Sequence, residues 1–178
     1  MESDVQGKTG QEYVYDYDAP ITAKYHGSRT VETHAAWFLP YLKRGMKLLD
    51  CGCGAGSITL GFANIVDPAQ VTGVDLSEVQ IERAQHRAVE NNISNARFET
   101  GNIYQLEFPD RSFDAIFSHN CLEHIPEPGK ALREMHRILK PGGIIGIRDI
   151  DFGGVLLAPD TGLWVWRRFY HPRFCEHC

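Results

Sequence analysis

No stretch of this 178-residue chain is apolar enough to span a bilayer, which takes about 20 consecutive predominantly apolar residues. Basic residues are in the minority: 18 Lys and Arg stand against 23 Asp and Glu, giving a net charge of −5. That balance argues against nucleic acid as a partner, because affinity for a phosphate backbone rests on basic patches. The N-terminus, MESDVQGKTG, lacks the basic start and apolar middle of a signal peptide, so a cytoplasmic address is expected. Cysteine is scarce and odd in number, five in all, which excludes a simple disulfide framework. Cys175 and Cys178 do form a CxxC around Glu176 and His177, with His171 nearby. A closed zinc site needs four ligands, so the tail is read as unpaired and no metal is expected.

What the chain does have is an ordinary globular composition, 43% apolar and 23% charged, in a length that suits one domain with a sizeable core. Residues 1–45 read as an N-terminal arm, with Tyr13, Tyr15 and Tyr17, followed by a cap helix over Ser28–Leu42. Apolar residues at Val31, Ala35, Phe38, Leu39 and Leu42 give that segment its helical spacing. Over residues 46–152 the pattern alternates. Strands are predicted at Lys47–Cys51, Gln70–Asp75, Ala96–Thr100, Phe113–Ser118 and Ile144–Ile150, and helices at Ser57–Val66, Ser77–Asn91 and Glu127–Leu139. Ser77 and Gln80 form a capping box, and Lys140-Pro141-Gly142-Gly143 is a helix stop and turn. Residues 153–178 form an aromatic C-terminal segment with Trp164, Trp166, Phe169 and Tyr170. Strands alternating with helices imply a doubly wound α/β fold, whose ligand lies beyond the carboxyl ends of the strands.

The most informative residues lie on that edge. Leu48–Ser57 reads LLDCGCGAGS, and Asp75 ends the next strand 25 residues after Asp50. Glycines 52, 54 and 56 allow the backbone to approach a ligand closely, and an acid at the end of the second strand is placed to accept from ribose hydroxyls. A dinucleotide fingerprint, G-x-G-x-x-G, fails here because its third position is Ser57. Asp50 would repel a pyrophosphate and suits a cationic ligand instead. An amine and a sulfonium fit that requirement.

Four segments carry a resemblance: LLDCGCGAGS, VTGVDLSE (Val71–Glu78), Phe98–Ile125 and LKPGG (Leu139–Gly143). In this order they resemble the successive motifs of class I S-adenosylmethionine-dependent methyltransferases, and most of all the small-molecule branch containing the quinone-biosynthesis enzymes. The resemblance covers roughly residues 25–152 and implies a Rossmann-like methyltransferase fold with a mostly parallel sheet. It implies S-adenosylmethionine as cofactor and a small-molecule methyl acceptor. By resemblance, Asp50 and the backbone of Gly52, Cys53 and Gly54 lie near the amino acid moiety, Asp75 takes the ribose hydroxyls, and Leu76 lies against the adenine; Gly56 and Gln80 are further cofactor-binding candidates. Asn102 stands where the family usually has an Asp accepting from the adenine amine, with Ile103 supplying a backbone N–H. Ser118, His119 and Asn120 line the cofactor near the transferring methyl.

Methyl transfer from a sulfonium needs a general base only where the acceptor loses a proton. His119, His124, Glu123, Asp149 and Asp151 stand at the right edge, and His119 is the first candidate. Amino-directed base methyltransferases of similar fold carry Asn-Pro-Pro-Tyr/Phe after the fourth strand, whereas Asn120 is followed here by Cys121-Leu122-Glu123. Family members continue past the fifth strand with an antiparallel strand pair, which this sequence is expected to lack. The exposed sheet edge is then expected to be covered by a second copy in a homodimer. Two readings stay open: a shortened enzyme, or a noncatalytic cofactor-binding relative.

Overall fold

The computed structural model describes residues 27–150. The tyrosines of the arm, the aromatic C-terminal segment, Asp151 and the CxxC tail lie outside the described residues. Five strands form one sheet: β1 (Leu48–Cys51), β2 (Val71–Asp75), β3 (Ala96–Thr100), β4 (Phe113–His119) and β5 (Leu139–Arg148). They lie in the order β3-β2-β1-β4-β5, and every pairing is parallel. The chain first runs outward from β1 to β3 and then returns to the far side of β1. The order therefore reverses between β1 and β4, the place where open α/β sheets bind ligands.

Burial explains the strand sequences. All four residues of β1 are buried, as expected for a central parallel strand covered on both faces. One face packs Phe38, Phe62 and Phe117 with Val31, Leu48 and Val66; the three rings meet at centroid distances of 4.9–6.2 Å. The other face packs Leu49 and Ile116 against Met135 and Ile138, which project from helix α4 (Pro128–Ile138). Helix α3 (Glu78–Glu90) starts where Ser77 Oγ accepts the N–H of Gln80 at 3.3 Å, and it buries Ile81, Ala84 and Ala88. Helix α2 (Ser57–Val66) opens from Gly56 at φ 73°.

Two expectations about elements are corrected. The predicted Ser28–Leu42 helix is a single turn, α1 (Val31–His34), followed by a 3₁₀ turn at Leu39–Tyr41. Thr30 caps α1, but the chain bends at Ala35, and the Trp37 indole donates to the carbonyl of His34 at 3.2 Å. Pro40 has no N–H to continue an α-helical ladder. The apolar spacing still marked the buried side, since Val31, Ala35, Phe38 and Leu42 are all buried.

The fifth strand starts earlier than predicted, at Leu139, directly after α4. Phe113 pairs with Leu139 and Ala115 with Ile144, so Asp114 alone stands opposite the four residues of Lys140–Gly143. The predicted turn is a bulge inside β5, with Gly142 at φ 78°. Asp114 fixes it, accepting from the Lys47 N–H at 2.9 Å and pairing with Lys140 Nζ at 2.7 Å. β5 also ends earlier, at Arg148. Among the described residues no antiparallel strand joins it. No helix among them is long and apolar enough to cross a membrane.

Candidate active site at the carboxyl edge

A cleft of about 420 Å³ lies over the carboxyl ends of β2, β1 and β4, within the range of small-ligand sites. Its floor is the glycine turn. Gly52 and Cys53 both donate N–H bonds to the Val74 carbonyl, at 2.8 and 3.1 Å, which doubles the chain back after β1. Gly52 has φ +75°, and a Cβ there would come within 2.5 Å of Cys121 Sγ. Gly54 has φ +52°, yet a Cβ built on it meets no protein atom within 4 Å. Gly52 is required by packing; at Gly54 the space beside the backbone is open.

Asp75 holds this turn in place. Its Oδ2 accepts from the Gly54 N–H at 2.8 Å and its Oδ1 from the Ser77 N–H at 3.0 Å. The carboxylate thus ties the glycine turn to the head of α3, and these bonds orient a group with about four acceptor positions. Asp50 lies deeper. It is 3% exposed, and Thr59 Oγ donates to its Oδ2 at 2.6 Å. Burial pushes the Asp50 carboxyl up to about 7; the Thr59 bond opposes the rise and the Asp75 charge adds to it. A cation placed above it would favour the ionised form. The residues present therefore fit an ammonium or sulfonium group. The thiols of Cys51, Cys53 and Cys121 are also raised, chiefly by burial, Cys121 to about 12. Thiols of that kind are inert.

His119 ends β4 with its ring 5.4 Å from that of His34. Its Nδ1 lies 2.9 Å from the Arg148 carbonyl oxygen. A carbonyl only accepts, so the neutral ring carries its proton on Nδ1 and leaves the Nε2 lone pair bare. Nε2 is buried without a hydrogen-bond partner. Burial holds the His119 pKa below its usual range, against the Arg148 carbonyl bond and with the help of the charges on Arg29, His34 and Arg148. Asn120 follows at φ 50°, its N–H also on the Arg148 carbonyl at 2.9 Å.

The cleft brings together Asp50, Gly52, Cys53, Gly54, Asp75, Leu76, Gln80, Ile103, His119 and Asn120. Gly56 and Asn102 do not line it. Gly56 is a packing glycine, whose Cβ would strike the Phe98 ring at 2.8 Å and Ala84 at 2.9 Å. Asn102 turns its Oδ1 to the N–H of Tyr104 at 2.9 Å and shapes the turn after β3. Of the other base candidates, His124 lines the cleft, while the two carboxylates brace the chain. Asp149 Oδ1 accepts from Cys121 and Leu122 at 2.7 and 3.2 Å, holding the 3₁₀ turn Leu122–His124. The Glu123 side chain is 5% exposed and pairs with His124 Nε2 at 3.2 Å, and it also accepts from the Ile150 N–H. Among the described residues no group of three or more His, Cys, Asp or Glu side chains converges to hold a metal.

Sequence reasoning missed Arg29, which lines the cleft although only 7% of it is exposed. A burial-prone arginine is rare unless paired or functional, but nothing in the local pattern separates it from a helix-flanking surface residue. Arg83, His86 and Arg87, on the cleft side of α3, were missed for the same reason.

Residues 42–163 match the family model described as a methyltransferase domain. The chain belongs to this family. As the motifs implied, this methyltransferase-domain protein is of the class I, S-adenosylmethionine-dependent type. It is 36% identical over 143 residues to an uncharacterized methyltransferase of Schizosaccharomyces pombe, covering 77% of this chain and 51% of that one. It is 32% identical over 147 residues to the demethylmenaquinone methyltransferase of Staphylococcus aureus, covering 78% of this chain and 60% of that one. Among solved structures it resembles a SAM-dependent methyltransferase from Aquifex aeolicus, with a TM-score of 0.57 at 26% identity, over 62% of this chain and 61% of that one. The methyltransferase-domain chain spans about half the length of the first curated relatives it matches.

Proposed function

We propose that this protein binds S-adenosylmethionine in the carboxyl-edge cleft and directs transfer of its methyl group to a small-molecule acceptor, in the cytoplasm. The observation that carries the reading is the pairing of Asp75 with the Gly54 N–H, which sets a ribose-accepting carboxylate beside an open glycine. Bound there, the cofactor supplies a methyl group already activated by its sulfonium. Asp50 faces the cationic amino acid end. The guanidinium of Arg29 takes the carboxylate of that end, for which a planar fork is well shaped. Leu76 covers the adenine, and Ile103 donates its backbone N–H to the adenine edge.

His119 is the proton acceptor for an acceptor hydroxyl, acting through Nε2. Neutral at pH 7, it is ready to take a proton, and its Nδ1–H bond to the Arg148 carbonyl fixes the ring. The remaining rate comes from holding the acceptor atom in line with the methyl carbon. A second copy of the chain covers the β5 edge, which light scattering on the purified protein tests.

Calorimetric titration with S-adenosylhomocysteine and S-adenosylmethionine tests the cofactor site. Saturable binding of both is expected, and absence of binding overturns the proposal. Transfer of labelled methyl to a panel of quinols and phenols tests the reaction; binding without any turnover on metabolite extracts overturns the catalytic part.

A further inference from the structure

Arg137 of α4 uses all five N–H donors of its guanidinium. Nε donates to Glu134 Oε2 at 2.9 Å, and Nη1 to the Phe108 carbonyl at 3.0 Å and Asp110 Oδ1 at 2.6 Å. Nη2 donates to the Leu106 carbonyl at 2.8 Å and Glu134 Oε1 at 2.7 Å. Glu134 Oε1 also accepts the Leu106 N–H at 2.9 Å. The two side chains thus take both backbone polar groups of Leu106, as a residue on a neighbouring strand would. The Arg137 bond in turn holds the Glu134 carboxyl below its usual range, so the pair stays charged at neutral pH.

Leu106 is 4% exposed and lines the cleft together with Ile103. A tight turn joins them: Asn102 accepts the Tyr104 N–H on its Oδ1 and the Gln105 N–H on its carbonyl, both at 2.9 Å. Just before it, the Gly101 N–H donates to the Asp75 carbonyl at 2.9 Å. Tyr104 Oη accepts the Glu127 N–H at 3.1 Å, a further tie to the head of α4. The turn therefore hangs between two anchors, Asp75 at its start and the Glu134–Arg137 pair at its end. None of these bonds takes the Ile103 N–H, the group that meets the adenine edge in the reading given above.

We propose that Glu134 and Arg137 are positioning residues for base recognition: by fixing Leu106 they hold the Ile103 N–H against an acceptor nitrogen of the adenine ring. This rests on the cofactor reading of the cleft. A base with an N–H at that edge, as hypoxanthine has at N1, sets donor against donor and is rejected. Lysine does not replace Arg137, because an ammonium offers three donors at one point where the guanidinium offers five in a planar fork.

Calorimetric titration of the full-length protein with S-adenosylhomocysteine and S-inosylhomocysteine tests it. Wild type is expected to favour the adenine ligand at least about tenfold. R137M should cut that ratio to below about threefold, and R137K should recover only part of it. E134Q, which keeps the shape of the side chain, is the milder variant should R137M fold poorly, and it should give an intermediate ratio. Hydrogen exchange without ligand supplies a local readout. Amides of residues 102–108 should exchange faster in R137M and E134Q, with those of β1 unchanged. A ratio near one in wild type overturns the proposal. So does a ratio kept in both variants while the two affinities fall together, which marks a purely structural pair. Absence of binding of either ligand to wild type removes the cofactor reading instead.

Discussion

Thr59 Oγ donates to Asp50 Oδ2 at 2.6 Å beneath the glycine turn, joining the first turn of α2 to the buried carboxyl that faces the cleft. This bond works against the burial that lifts Asp50 to about 7. Cofactor binding should therefore respond to pH. A cationic ligand favours ionised Asp50, so affinity for S-adenosylmethionine should rise as pH increases through about 7 and then level off. Below that point, calorimetry in buffers of different ionisation heat should register proton release on binding. The sign for stability is the opposite. A folded-state pKa above the ordinary value of 3.8 means that the protonated form stabilises the fold. That contribution is full below 3.8 and is lost as pH rises through about 7. Asp50→Asn should remove both trends, and Thr59→Val should move the binding transition to higher pH.

The two glycines of the turn should fail differently. Gly52→Ala places a Cβ 2.5 Å from Cys121 Sγ at a left-handed backbone position and should cost about 3 kcal/mol of stability. Gly54→Ala meets no protein atom within 4 Å and should cost only about 1 kcal/mol from its backbone conformation. Its affinity for S-adenosylhomocysteine should nevertheless fall at least about tenfold, as the methyl fills ligand space. Thermal denaturation beside titration separates the two cases.

Arg29→Met should weaken S-adenosylhomocysteine by about tenfold, the order expected for a charge-assisted bond. Decarboxylated S-adenosylmethionine, which lacks the group Arg29 would hold, should bind wild type and variant alike. An equal loss for both ligands would mean that Arg29 supports the fold of the cleft instead.

His119→Gln should leave S-adenosylhomocysteine affinity within about twofold of wild type, while slowing transfer to a hydroxyl acceptor by about 10²–10⁴. Because burial depresses the His119 pKa below 6.5, the wild-type rate should rise with pH only on the acid side of that value. It should be flat through neutrality. A pH–rate profile unchanged in shape by the substitution would remove His119 as the base.

Much of the fold was legible because strand and helix periods are local. β1, with all four residues buried, and the amphipathic α3 state their environment in a few consecutive residues. The glycine turn and Asp75 were legible for a related reason, since a sharp turn at a strand end restricts residue type strongly. Three features were not. The break after His34 depends on where the Trp37 indole finds an acceptor. Asn102 had two acceptable partners, a ligand or the N–H of Tyr104, and only the fold of the β3 turn decides between them. Arg29 is drawn into the cleft by the packing of Val31 and Phe38 on the core, a tertiary effect with no sequence period of its own.

The bulge in β5 lies at the end of the sheet away from the cleft, where Asp114 faces four residues and strand pairing resumes at Ala115 and Ile144. From there the register runs without interruption to His119 and Arg148. The bulge at Lys140–Gly143 is thereby separated from the rim of the cleft. The irregular pairing is confined to that pole, and the histidine and its carbonyl partner stay aligned at the other. The fold carries its irregular pairing at one pole and its cleft at the other.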